Sequence, residues 1–161
     1  MLTLIIGCMF SGKSKYLISK YTKNSIVFLP TNIKSLKSRA HVNEIHNVRL
    51  INSLDEITDI TNSRILIDEF QFFKNNNIEI IRKLKLSNEV FIAGLIQGCE
   101  QSKFGEIREL LHIANVVIHL KATCNNCGSN DAINHKLEEL INDDYVNAKY
   151  GVFCDKCFYT S

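Results

Sequence analysis

Eight residues near the start of the chain combine glycine, lysine and serine at a spacing suited to binding an anion. They are Gly7-Cys8-Met9-Phe10-Ser11-Gly12-Lys13-Ser14, the pattern G-x-x-x-x-G-K-S. Such glycines let backbone N–H groups approach phosphate oxygens closely. The lysine reaches the β and γ phosphates, and the serine hydroxyl binds the magnesium ion between them. The pattern predicts a site for ATP and Mg²⁺; the alternative is a glycine-rich turn that binds nothing.

A second candidate site lies where an apolar run ends in two acids. Ile65-Leu66-Ile67 is followed directly by Asp68 and Glu69. A carboxylate at the end of a buried strand beside a phosphate loop holds magnesium through water. Phosphoryl transfer further needs a base to accept the proton of the attacking hydroxyl. We expect Asp68 to hold the metal and Glu69, directed away from it, to act as the base; for Glu69 the alternative is a plain surface carboxylate.

Four of the six cysteines form two C-x-x-C pairs, Cys124/Cys127 and Cys154/Cys157, on either side of residues 128–153. In a reducing compartment this pattern indicates a metal and not disulfides. Four thiolates close a tetrahedral Zn²⁺ site with Zn–S distances of about 2.3 Å and leave no position for water. The pairs therefore predict a structural zinc site, with four reduced, unliganded cysteines as the alternative.

The elements that must position these residues alternate between apolar runs and amphipathic segments. Strands are predicted at 2–6, 25–29, 48–51, 64–67, 89–94 and 115–120. Helices are predicted after Lys13 for roughly ten residues, briefly after Ser53, and at 75–86 and 104–114. This order predicts an α/β fold: a P-loop (RecA-like) parallel sheet with helices on both faces, plus a small C-terminal zinc-binding lobe. We place the domains at 1–121 and 122–161.

Composition excludes several partner classes. The chain has 161 residues, a formal net charge of +2 and scattered basic residues, so we expect neither nucleic acid nor a membrane as partner. No apolar stretch approaches the length of a membrane span, and no basic-then-apolar leader precedes the first strand. We therefore expect a cytoplasmic protein. Residues 31–47, which lack periodicity, are interpreted as a loop facing the nucleotide or as a solvated linker.

Taken together, these motifs resemble the cellular and poxviral class of thymidine kinases. The resemblance lies in the phosphate loop with Met9-Phe10-Ser11 inside it, the block Asp68-Glu69-Phe70-Gln71-Phe72-Phe73, the pair Phe104-Gly105 and the two cysteine pairs. It covers nearly the whole chain in the family's order. It implies a homotetramer that transfers the γ-phosphoryl group of ATP to the 5′-hydroxyl of thymidine, giving dTMP.

The resemblance also implies roles for single residues. Glu69 would be the catalytic base. Phe72, Phe104 and Tyr150 would contact the nucleoside, beneath a lasso that here spans residues 128–153. The nucleotide would be bound by Gly7, Met9, Phe10, Ser11, Gly12, Lys13, Ser14, Asp68 and Gln71, and structural Zn²⁺ by Cys124, Cys127, Cys154 and Cys157.

Departures from the family pattern are concentrated on the acceptor side. Ile96 and Cys99 replace an aspartate and an aromatic residue, Ala132-Ile133-Asn134-His135-Lys136 replaces the usual lasso sequence, Asn32-Ile33-Lys34 replaces Asp-Thr-Arg, and Cys8 replaces a proline. The phosphate machinery is intact. Two alternatives to a thymidine kinase are therefore a homologue with altered nucleoside preference and a non-catalytic nucleotide-binding protein. A nucleic-acid-dependent ATPase is disfavoured because the chain lacks a strongly basic surface.

Overall fold

A parallel six-stranded sheet forms the body of the protein, and a two-stranded antiparallel hairpin follows it. The structure is a computed structural model that describes residues 1–31, 45–73, 78–96, 105–141 and 144–160. Its strands are β1 (Leu2–Gly7), β2 (Ser25–Pro30), β3 (Val48–Ile51), β4 (Arg64–Ile67), β5 (Glu89–Gly94), β6 (Val116–Leu120), β7 (Asn134–Ile141) and β8 (Asp144–Phe153). Its helices are α1 (Lys13–Ile18), α2 (Ile78–Ser87), α3 (Gly105–Ile113) and α4 (Asp155–Thr160), with 3-10 turns at Leu54–Glu56 and Phe70–Phe72.

Strand order in the large sheet is β3-β2-β4-β5-β1-β6. The inner strands are almost continuously apolar because both of their faces are covered. In β1, Leu2, Leu4 and Ile6 pack into a core cluster shared with α2 and α3, whereas Ile5 faces a second cluster with Leu17 of α1. This arrangement confirms the predicted α/β fold with a parallel sheet between helices.

Two local predictions need adjustment. The first helix has six residues and not about ten, since Lys20 and Tyr21 donate to carbonyls three residues back and close the turn. Thr22 and Ser25 then form hydrogen bonds with each other through both their backbone and their side-chain atoms. These bonds compete with the backbone hydrogen bonds that would continue the helix. The brief helix after Ser53 is a 3-10 turn, started by a capping box of Ser53 and Glu56.

The segment that follows β6 packs back against the sheet's phosphate-loop end. Ala122 and Ala132 form an isolated antiparallel bridge that closes the first cysteine pair into a loop. Cys8 of the large sheet's first loop is buried in one cluster with these two alanines and with Val152 of β8. No helix among the described residues is long and apolar enough to span a membrane.

Candidate active site and metal centre

The phosphate loop leaves β1 at Gly7, where the chain passes directly beside the end of β6. A Cβ atom on Gly7 would lie 2.3 Å from the carbonyl oxygen of Leu120 and 2.6 Å from Ser11 Oγ, so only glycine fits. Gly12, the residue before α1, has φ +84°, which favours glycine. Phe10 also has a positive φ, 59°, although it carries a side chain. The loop thus keeps a backbone shape that ordinary residues rarely adopt.

Lys13 is buried and folds back over this loop. Its Nζ donates to the Cys8 carbonyl oxygen at 2.7 Å, and Ser11 Oγ donates to the same oxygen at 2.9 Å. Met9 packs half-buried against the cluster that contains Cys8. The lysine ammonium is therefore held at the loop. A bound phosphate would replace the Cys8 carbonyl oxygen as its hydrogen-bond acceptor.

Asp68 meets the phosphate loop from the end of β4. Its carboxylate accepts a hydrogen bond from the Ser14 side chain and feels the charge of Lys13. Only 3% of the residue is exposed. Burial, and then the neighbouring Glu69, raise the pKa of Asp68 to about 6 against the opposing effect of Ser14. The structure therefore brings the serine and the aspartate together as a P-loop magnesium site requires, and a divalent cation there would reverse the pKa shift.

Glu69 occupies the left-handed region, with φ 51°. A non-glycine residue held there is strained, which is common at functional sites. Glu69 Oε2 accepts a hydrogen bond of 2.7 Å from Gln71 Nε2, and Gln71 Oε1 accepts one of 3.0 Å from the Leu95 N–H after β5. Gln71 thus ties the carboxylate of Glu69 to the end of the adjacent strand. Sequence reasoning assigned Gln71 to the nucleotide and missed this contact, which the residue spacing does not reveal.

The four predicted metal ligands come together. Their sulfur atoms all lie within 4.8 Å of one another, and Cys127 Sγ is 3.7 Å from Cys154 Sγ. A tetrahedron with Zn–S bonds of about 2.3 Å has S–S edges of about 3.8 Å, so the cluster fits Zn²⁺. Hydrogen bonds from the backbone of Cys127 and Cys154 lower the pKa of Cys124 to about 6, whereas burial and the other three thiols raise that of Cys157 to about 12. A bound Zn²⁺ would favour the thiolate form of all four cysteines.

The predicted nucleoside-contacting residues are placed in part. Phe72 is half-buried at the end of its 3-10 turn, whereas Phe70 and Phe73 beside it belong to the core. Tyr150 lies half-buried on β8, with its ring edge-on to His135 at 6.2 Å. Phe104, Cys99 and residues 32–34 lie outside the described residues. Within the lasso, Asn134–Ile141 and Asp144–Phe153 form the hairpin β7–β8, with Tyr150 opposite Leu137.

A phosphate loop joined to a serine–aspartate pair on a parallel sheet defines a P-loop nucleotide-binding protein, and its C-terminal segment carries a four-cysteine cluster that could hold a metal ion. The thymidine kinase family model matches residues 1–158. A thymidine kinase of Pseudothermotoga lettingae is 30% identical over 174 aligned positions, covering 98% of this chain and 94% of that protein. A thymidine kinase of Mycoplasma genitalium is 35% identical over 156 positions, covering 86% of this chain and 70% of that protein. The chain therefore belongs to the thymidine kinase family, as its motifs predict.

Proposed function

We propose that this protein is a thymidine kinase that transfers the γ-phosphoryl group of ATP to the 5′-hydroxyl of thymidine and releases dTMP. The observation that carries the proposal is the convergence of Lys13, Ser14, Asp68 and Glu69 at the carboxyl ends of β1 and β4. These residues supply the positive charge, the metal-binding oxygens and the base that phosphoryl transfer needs. Family membership makes thymidine the first acceptor to test.

In this mechanism the chain's own residues hold and align the reactants. The phosphate loop surrounds the triphosphate, and Lys13 moves its donor from the Cys8 carbonyl to phosphate oxygens. Ser14 and Asp68 would hold Mg²⁺, which would supply positive charge to offset that of the triphosphate. Glu69 accepts the 5′-hydroxyl proton while Gln71 holds its carboxylate in place. Phe72, Phe104 and Tyr150 contact the thymine or sugar.

We further propose structural Zn²⁺ at the cysteine cluster, a division of the chain at 121/122, and a homotetramer. The geometry of the four sulfurs supports the zinc. Support for self-association comes from edge strand β6, whose Val116 and Val117 side chains are exposed at 43% and 46%. A cytoplasmic location stays a prediction from the sequence.

A homologue with a different nucleoside preference is the second candidate, favoured by Ile96. This residue follows β5, where the family carries an aspartate, and packs against the core cluster instead of offering a carboxylate. It therefore supplies no charged group to an acceptor. If the site binds nucleotide but phosphorylates no nucleoside, the protein is a non-catalytic nucleotide-binding homologue.

The experiment that tests the proposal is a panel of acceptors. Purified zinc-loaded protein is incubated with ATP, Mg²⁺ and each deoxynucleoside in turn, and the products are separated by chromatography. Formation of dTMP at the highest kcat/KM supports a thymidine kinase. A different preferred monophosphate supports the second candidate, and no monophosphate with any acceptor excludes kinase activity. The Lys13→Met variant, which removes the phosphate-loop ammonium, is the negative control.

A further inference from the structure

His135 lies on the face of β7 that is turned away from helix α4. Its two neighbours in the strand both reach α4: Asn134 Nδ2 donates to Asp155 Oδ1 at 2.7 Å, and Lys136 Nζ donates to the Phe158 carbonyl oxygen at 3.0 Å. Successive side chains of a strand point to opposite faces. The imidazole of His135 is therefore directed to the other side of the hairpin.

That other side packs on the phosphate loop. Val152, opposite His135 in the β7–β8 register, is buried in the cluster that contains Cys8 and Ala132. Cys8 Sγ lies 3.2 Å from the Ala132 carbonyl oxygen, to which it donates. Burial and then the charge of Lys13 lower the pKa of His135 to about 4. The ring is thus neutral at physiological pH and lies within the electrostatic reach of the phosphate-loop lysine.

The imidazole is also buried without a protein hydrogen bond. His135 is 5% exposed, and neither ring nitrogen bonds a protein group within the described part of the chain. Buried polar groups are nearly always paired, and leaving one unpaired costs about 1–3 kcal/mol. A neutral imidazole carries one N–H donor and one acceptor nitrogen. The missing partner of that donor is an oxygen acceptor, and the field of Lys13 favours an anionic one.

We propose that His135 is a phosphate-binding residue, whose ring N–H donates to an oxygen of the phosphoryl group held by Lys13. The oxygen belongs either to the triphosphate of ATP or to the phosphate of the nucleoside monophosphate product. The inference rests on the proposed function, because it requires a phosphorylated ligand at the loop. Through His135 the C-terminal hairpin would bind phosphate directly, in addition to the nucleoside contacts expected of Tyr150.

Binding measurements with paired variants test this role. His135→Leu fills the space without a donor, and His135→Gln keeps an N–H donor; His112→Leu, at an exposed histidine of α3, is the matched control. Calorimetric titrations use Mg·ATP, inorganic tripolyphosphate, dTMP and thymidine. We expect His135→Leu to weaken a phosphorylated ligand about tenfold or more, with thymidine affinity unchanged and partial recovery in His135→Gln. Weakened ATP and tripolyphosphate identify the donor phosphate, and weakened dTMP alone identifies the acceptor phosphate.

Several results overturn the proposal. Unchanged affinities in His135→Leu mean that water satisfies the ring, and an equal loss for thymidine and phosphates means a structural role. If His135→Leu does not fold, the imidazole ¹⁵N resonances of the wild-type protein decide: no change at His135 on adding either tripolyphosphate or dTMP also overturns it. The kinase assignment is tested separately. If the protein binds ATP through His135 but forms no monophosphate, phosphate binding by His135 is supported and kinase activity is excluded.

Discussion

Replacing Asp68 by asparagine is expected to stabilise the ligand-free protein while removing its function. The buried carboxyl has its pKa raised from 3.8 to about 6, mainly by burial and secondarily by Glu69. A difference of about two in pKa corresponds to about 3 kcal/mol of destabilisation once the group is ionised in both states. Asparagine keeps a carbonyl oxygen for the Glu69 N–H, which Asp68 Oδ1 accepts at 2.9 Å, and carries no charge.

The sign of the effect depends on pH. The unfolded carboxyl ionises near its ordinary value and the folded one near pH 6, so ionisation costs no stability below about pH 3.8. The cost grows as pH rises, reaching about half its full value at pH 5 and the whole of it above about pH 7. The stability advantage of Asp68→Asn should therefore be larger at pH 8 than at pH 5, by about 1.5 kcal/mol.

Thermal and urea unfolding of zinc-loaded, magnesium-free protein at these two pH values measures the difference. Each kcal/mol raises the Tm of a chain of this size by about 2–4 °C, so we expect a gain of about 5 °C or more at pH 8. Asp59→Asn, at an exposed aspartate, is the control and should change stability by less than about 0.5 kcal/mol. An advantage that does not vary with pH, or a less stable variant at pH 8, refutes the reasoning. Mg·ATP should raise the Tm of the wild type, and it should raise the Tm of Asp68→Asn much less.

Three further outcomes are expected. Glu69→Gln should lower kcat about a hundredfold or more with ATP affinity unchanged, because the base is lost; steady-state kinetics with unchanged kcat would remove its assigned role. Gln71→Leu should lower kcat about tenfold by freeing the Glu69 carboxylate, with little effect on nucleotide affinity by titration; a loss of affinity alone would return Gln71 to the nucleotide. Elemental analysis should find one zinc per chain and none in Cys157→Ser, whose Tm should fall; a fully metal-loaded, equally stable variant would contradict the cluster's role.

Apolar runs in the sequence predicted the large sheet, because each inner strand is buried on both faces and therefore contains almost only apolar residues. The four-cysteine cluster was equally predictable, since C-x-x-C pairs bring ligands together through local geometry. Strands β7 and β8 were not predicted as strands. Their charged, partly exposed sequence lacks a clear alternation, and their register shifts after Leu137.

The finer parts of the site depend on contacts between distant segments. The hydrogen bond from the Leu95 N–H to Gln71 Oε1 forms only when β4 and β5 lie side by side, and the left-handed backbone of Glu69 has no signal in the sequence. His135 likewise gained significance only when the hairpin folded back on the phosphate loop. In the sequence it is one histidine among charged residues, with no motif around it.

Cys8 of the phosphate loop is buried in one cluster with Ala122, Ala132 and Cys124, so the proposed zinc site and the proposed ATP site would share their packing. If Zn²⁺ is bound there, its release would loosen the packing beneath the phosphate loop, and we expect the dissociation constant for ATP to rise. Thermodynamic reciprocity then requires bound ATP to tighten metal retention by the same factor. A zinc-selective chelator would then weaken ATP binding indirectly, by removing the metal.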